Sequence, residues 1–97
     1  MASRVVWSPK AVEDVDVIAS YIGRDSSSYA AAVVRKIIDI THALDQSALS
    51  GAIAAECDDP MIREKLAYTY RLIYRIKEET VTIAAIIHTK RLLTMTE

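Results

Sequence analysis

Hydrophobic and polar positions along this 97-residue chain change their period once, near residue 60. Arg4-Val5-Val6-Trp7 is β-branched and aromatic, which predicts a short first strand. Ser8-Pro9 then marks a helix start, with Ser8 as cap and Pro9 where its missing N–H costs nothing. Ala11, Val15, Ile18 and Ile22 recur at helical spacing, and Val12 and Ala19 widen the stripe. Glu13, Asp14 and Asp16 crowd the early turns, where the helix dipole favours acids. Gly23 is expected to end this helix in a left-handed conformation. Ser26 to Ser28 offer a second cap. Ala30 to Leu44 then carry Val33, Val34, Ile37, Ile38 and Leu44 on one face, with Arg35, Lys36 and Asp39 mainly outward. Two helices joined by about five residues form an antiparallel hairpin.

Residues 45–60 lose all periodicity, and Gly51 and Asp58-Asp59-Pro60 are turn signals. So long a loop in so small a domain is expected to be mobile or shaped by a partner. Period two begins after it. From Met61 to Ala67, Arg63 and Lys65 alternate with Ile62, Glu64 and Leu66. From Tyr70 to Lys77, Tyr70, Leu72, Tyr74 and Ile76 share one face, and Arg71, Ile73, Arg75 and Lys77 the other. Glu78-Glu79-Thr80 reads as a hairpin turn. Val81 to His88 is nearly all apolar, which predicts a central strand covered on both faces. Lys90-Arg91 close the sheet and Leu92 to Glu97 trail off. The expected fold is α+β and a single domain over 1–97. An N-terminal strand and a two-helix antiparallel hairpin precede a three-stranded antiparallel meander, all in one sheet packed on the helices. The first strand is expected at the sheet edge, and the basic alternation on the face away from the helices.

Composition narrows the function classes. The hydrophobic fraction of 52% excludes a disordered chain. The single cysteine, Cys57, cannot form an internal disulfide and cannot found a zinc site, and it fits a reducing compartment. The N-terminus lacks the apolar core of a signal peptide, and no apolar run approaches the roughly 20 residues needed to span a bilayer. A cytoplasmic protein without a membrane role is expected. The net charge of −1 is unevenly spread: residues 1–60 hold five Lys/Arg and nine Asp/Glu, whereas residues 61–97 hold seven and four. The second part therefore suits an anionic partner.

Candidate chemistry is sparse. Arg63, Lys65, Arg71, Arg75 and Lys77 could together bind phosphates or carboxylates, or form a solvated face partly paired with Glu64, Glu78 and Glu79. His88 is a possible general acid or base, though a structural histidine is the commoner case. His42 has no partner in view. Cys57-Asp58-Asp59 lacks a histidine at ligand spacing and reads as a polar turn. Glu56 is a possible base that nothing pairs with an acid. No glycine-rich phosphate loop or nucleophile elbow occurs, and no cofactor or metal is implied. Tyr70 and Tyr74 are expected in the core, and Tyr68 is free to stack a base or line a peptide groove.

Several marks in order resemble the RelE/ParE superfamily of bacterial type II toxins, closest to its ParE-like, plasmid-stabilisation branch. They are Trp7; Ala11 to Ile22 with Glu13, Asp14, Ile18 and Tyr21; Gly51 to Glu56; Ile62-Arg63-Glu64; Tyr70 to Ile76; and Ile86-x-His88-x-x-Arg91. The resemblance implies a toxin that arrests growth and is neutralised in a hetero-oligomer by a cognate antitoxin, often of ribbon-helix-helix type. ParE-like members poison DNA gyrase without catalytic residues of their own, and no stable DNA binding by the toxin alone is expected. RelE-like members cut mRNA on the ribosome. In that alternative Arg71 and Arg91 would hold phosphate, and His88 or Glu64 would move the proton. Two departures weigh against it. No tyrosine or histidine follows Arg91 in Leu92-Leu93-Thr94-Met95, and acidic Glu56, Asp58 and Asp59 stand where several nucleases carry lysines. A second alternative is an inactive relative that only binds its antitoxin. Arg63, Arg71, Arg75, Lys90 and Arg91 are the expected contacts for target or antitoxin. An Arg71, Arg75, Arg91 to Ala triple variant is expected to stay folded and lose toxicity.

Overall fold

The computed structural model describes residues 3–91. The chain runs β1 (Arg4–Trp7), α1 (Pro9–Gly23), α2 (Ser27–Ala43), a 3-10 turn (Ala48–Ser50), β2 (Ala52–Ile53), β3 (Ile62–Ala67), β4 (Tyr70–Lys77) and β5 (Thr80–His88). One sheet has the order β1-β5-β4-β3-β2. Its pairs are antiparallel except β1, which lies parallel to β5 with Arg4 opposite Thr80 and Trp7 opposite Ile83. The parallel pairing follows from the crossover through the helical hairpin, since parallel neighbours need a long connection. The tail from Leu92 to Glu97 lies outside the described residues.

Both helices start where their serines allow. Ser8 is extended (φ −72°, ψ 155°), its Oγ accepts from the Ala11 N–H at 3.0 Å, and Pro9 opens the first turn. Ser26 does the same for Tyr29 at 3.1 Å. Gly23 departs from expectation: it does not adopt positive φ, and Arg24 closes α1 in right-handed geometry. The Ile22 carbonyl accepts from the N–H groups of Asp25 and Ser26, so a tight right-handed turn leads straight into the next cap. Val12 also departs. It is 56% exposed, while Ala11 and Ile22 are buried and Val15 and Ile18 pack against the core. Val33 and Ile37 of α2 and Leu44 at its C-terminal cap are buried, whereas Ile38 faces outward.

The core fills the space between the helices and one sheet face, with Leu72, Tyr74, Val81, Ile83 and Ile86 contributed by the sheet. Ile83 and Ile86 have opposite parity, yet both face the helices. A β-bulge makes this possible: Ile73 lies opposite Ala85 and Tyr74 opposite Ile83, so Ala84 is the extra residue. The start of α1 holds the bulge in place. Ser8 Oγ donates to the Ala84 carbonyl at 3.0 Å, and Asp14 Oδ2 accepts from the Ile86 N–H at 2.9 Å. No helix among the described residues is long and apolar enough to cross a membrane.

Candidate functional site

Strand registers decide which charged residues meet. In β3 and β4, Glu64 lies opposite Ile73 and Leu66 opposite Arg71, so Glu64 shares the outer sheet face with Arg71, Ile73 and Arg75. Arg63 and Lys65 lie opposite Tyr74 and Leu72 and belong to the helix side. The expected five-cation face is therefore corrected: Arg63 and Lys65 leave it, because a two-residue turn at Tyr68-Thr69 pairs odd positions of β3 with even positions of β4.

Arg63 instead holds the 45–60 segment. Its Nε donates to the Pro60 carbonyl at 2.9 Å, and its Nη1 donates to the Leu49 and Gly51 carbonyls at 3.2 and 2.9 Å. Tyr74 adds a second clamp from the core. Its Oη donates to the Ala48 carbonyl at 2.6 Å and accepts from the Gly51 N–H at 3.0 Å. Burial pushes the Tyr74 phenol up from its ordinary value. The approach is so close that a Cβ on residue 51 would sit 2.5 Å from Tyr74 Oη and 2.6 Å from the Glu64 carbonyl oxygen, which explains the glycine. The segment is thus held by the chain's own side chains.

Arg71 is buried at 7% exposure, and all five guanidinium N–H donors are taken. Nε donates to Glu64 Oε1 at 2.9 Å. Nη2 donates to Glu64 Oε1 and to Glu56 Oε1, both at 2.6 Å. Nη1 donates to Glu56 Oε2 at 2.6 Å and to the Arg91 carbonyl at 3.1 Å. Hydrogen bonding to Glu56 and Glu64 raises its already high pKa against the opposing effect of burial. The guanidinium has no donor left for a phosphate. Its role as an external contact is corrected: Arg71 ties the 45–60 segment, β3, β4 and the end of β5 together. Glu56, which the sequence left without a partner, is the other half of that tie. The two are 15 residues apart, and no local pattern links them.

His88 lies opposite Tyr70 on the helix side of the sheet, across it from Arg71 and Glu64. Its ring meets Tyr70 edge-on at 5.5 Å, and its Nδ1 accepts from the Lys90 N–H at 3.1 Å. The four residues of the nuclease alternative are therefore split: Arg71 and Glu64 are bound to each other on one face, and His88 stands on the other, where Arg91 lines the same groove. Lys90 and Arg91 are exposed beyond β5. Arg75 and Lys77 remain exposed on the outer face. Beside His88, a groove of about 650 Å³ runs between α1 and the end of β5, lined in part by Lys10, Val17, Ile18, Tyr21, Tyr70 and His88. Val17 and Tyr21 are 59% and 65% exposed there. Tyr68 is exposed and touches Tyr29 edge-on at 5.8 Å. Among the described residues, no three His, Cys, Asp or Glu side chains gather as a metal site.

Comparison with known proteins agrees with this architecture. A solved structure described as the chromosomal ParDE TA system from P. aeruginosa superposes with a TM-score of 0.72 at 23% identity, covering 90% of this chain and 96% of that one. The YoeB dimer from Staphylococcus aureus superposes with a TM-score of 0.61 at 17% identity, covering 91% and 98%. A chain of the heterotetrameric YoeB–YefM toxin–antitoxin complex from the same organism gives 0.56 at 17% identity, with the same coverage. At these identities the likeness is one of fold. No curated protein matches the sequence. The family model for the ParE toxin of the type II toxin–antitoxin system, parDE, matches residues 5–93, nearly the whole chain. The chain therefore belongs to the ParE toxin family.

Proposed function

We propose that this toxin acts by inhibiting DNA gyrase and is held inactive in the cytoplasm by a cognate antitoxin. The observation that carries the reading is that Arg71 and Glu64, two of the four candidate catalytic groups, are bound to each other across the sheet from His88 and Arg91. Cleaving RNA at a ribose 2′-hydroxyl needs a proton acceptor, a phosphate-binding cation and an acid within reach of one phosphate. Here Arg71 is saturated by Glu56 and Glu64, and His88 lies across the sheet. A toxin that works by binding a protein target needs no such cluster, and the ParE branch is the one whose members are expected to work that way.

An antitoxin fits the groove between α1 and β5. Exposed Val17 and Tyr21 offer apolar anchors, and Lys10 and Asp14 rim them. An amphipathic segment would cover that surface and leave the Arg71 tie untouched. A ribbon-helix-helix partner is the expected type.

The test is a supercoiling assay with the host's gyrase, titrated with antitoxin-free toxin. Lost supercoiling and linear DNA after denaturation of the enzyme, both reversed by antitoxin, are the expected results. An unaffected gyrase together with fresh mRNA ends in arrested cells would favour ribosome-dependent RNA cleavage. No arrest at all, with antitoxin still bound, would mean a binding module without toxicity.

A further inference from the structure

The outer sheet face has a second charged region, away from the Arg71 tie. Arg4 of β1 lies opposite Thr80 of β5, which lies opposite Lys77 of β4. In the next row Val6 lies opposite Thr82, which lies opposite Arg75. Arg4, Arg75 and Lys77 therefore surround two threonines on one face. All three cations are exposed, and none forms an ion pair among the described residues. The sequence hides this grouping, since Arg4 is 71 positions from Arg75 and joins it only through the parallel β1–β5 pair.

We propose that this face contacts the phosphate backbone of duplex DNA. Two strand spacings of roughly 4.8 Å separate Arg4 from Lys77 by about 10 Å, and two residues along β4 separate Arg75 from Lys77 by about 7 Å. A duplex carries a phosphate charge about every 1.7 Å of its axis, so a patch of this size faces several phosphates. The threonine hydroxyls add donors of the kind that position a protein on the backbone without reading sequence. An acidic peptide fits less well. β5 runs between β1 and β4 at these residues, so a strand could add only along the β1 edge beside Arg4 and not across the patch. With a net charge of −1, the free toxin binds DNA only weakly, and the contact matters when another protein holds it beside DNA. The biological setting rests on the gyrase reading, because a toxin seated on gyrase lies next to duplex. The contact itself is measured without gyrase.

The experiment is fluorescence anisotropy of a labelled 20-base-pair duplex titrated with free toxin at low salt. Three cation–phosphate contacts predict an affinity that falls about 40-fold between 50 and 200 mM salt. Arg4→Gln, Arg75→Gln and Lys77→Gln together should weaken low-salt binding at least tenfold and flatten that salt slope. A control with Arg24→Gln, Arg35→Gln and Lys36→Gln makes the same change in net charge on the helices and should keep the wild-type affinity. Circular dichroism confirms that both variants fold, and the single Lys77→Gln and Arg75→Gln variants should show proportionate losses. Equal losses in patch and control variants, no duplex binding by the wild type, or binding of polyglutamate in preference to duplex would each overturn the proposal. Failure of the supercoiling assay alone would leave this result standing.

Discussion

Replacing Arg71 tests whether the residue that looks most like a ligand contact is instead a structural tie. Arg71→Ala leaves the Glu56 and Glu64 carboxylates facing each other without their shared cation. The side chains of Arg71, Glu56 and Glu64 are 9%, 15% and 23% exposed, so water recovers only part of the lost interaction. Removing one partner of a buried ion pair costs about 3–5 kcal/mol, and the residual exposure places this site near about 3. In a domain of this size each kcal/mol moves the melting temperature by about 4–8 °C, so a fall of about 12–24 °C is expected. Arg71→Lys should fall in between, because an ammonium cannot reproduce the planar five-donor fork. A third variant separates charge from packing. Arg71→Met with Glu56→Gln and Glu64→Gln removes all three charges and should recover most of the lost stability. Urea melts of the four proteins at pH 7 read this directly. A loss below about 1 kcal/mol in Arg71→Ala, or no recovery in the neutral triple variant, would refute the reasoning. Because the guanidinium pKa is raised, the tie should persist throughout the neutral and mildly alkaline range. The Arg71, Arg75, Arg91 to Ala variant is therefore expected to lose stability, so its toxicity is not a measure of surface contact.

Three further outcomes are expected. Gly51→Ala should destabilise by about 3 kcal/mol in denaturant melts, because the new methyl displaces Tyr74 Oη from both of its hydrogen bonds. Burial raises the Tyr74 phenol above the ordinary tyrosine value of about 10, so the unfolded chain releases that proton first. Stability should therefore decline as pH rises past about 10. Tyr74→Phe should reduce that slope while lowering neutral stability by about 1–3 kcal/mol, with Tyr70, also raised by burial, keeping part of the slope. Glu78 sits at φ 57° in the two-residue turn between β4 and β5. Glu78→Gly should raise stability by about 0.5–1 kcal/mol in thermal melts, as relief of the left-handed strain exceeds the added chain entropy.

Local chemistry was legible in the chain. Ser8-Pro9 and Ser26 mark both helix starts, because a cap needs only residues within one turn of it. Alternation from Tyr70 to Ile76 identifies the core face of β4, because the pleat sends every second side chain the same way. The strand–hairpin–meander order implies one sheet under two helices. Parity within a strand does not say which parity its neighbour matches. The turn at Tyr68-Thr69 contains no glycine or asparagine to announce its two-residue length, so the pattern alone groups Arg63 and Lys65 with Arg71, and only the register removes them and leaves Glu64 on that face. The bulge at Ala84, which lets Ile83 and Ile86 share a core, depends on contacts from Ser8 and Asp14, more than 70 residues away. The Glu56–Arg71–Glu64 tie and the Arg4–Lys77 grouping depend likewise on registers between distant segments. Caps, periods and the order of elements were set by neighbouring residues. Which charges are consumed inside the molecule, and which remain free for a partner, was decided only when the strands chose their registers.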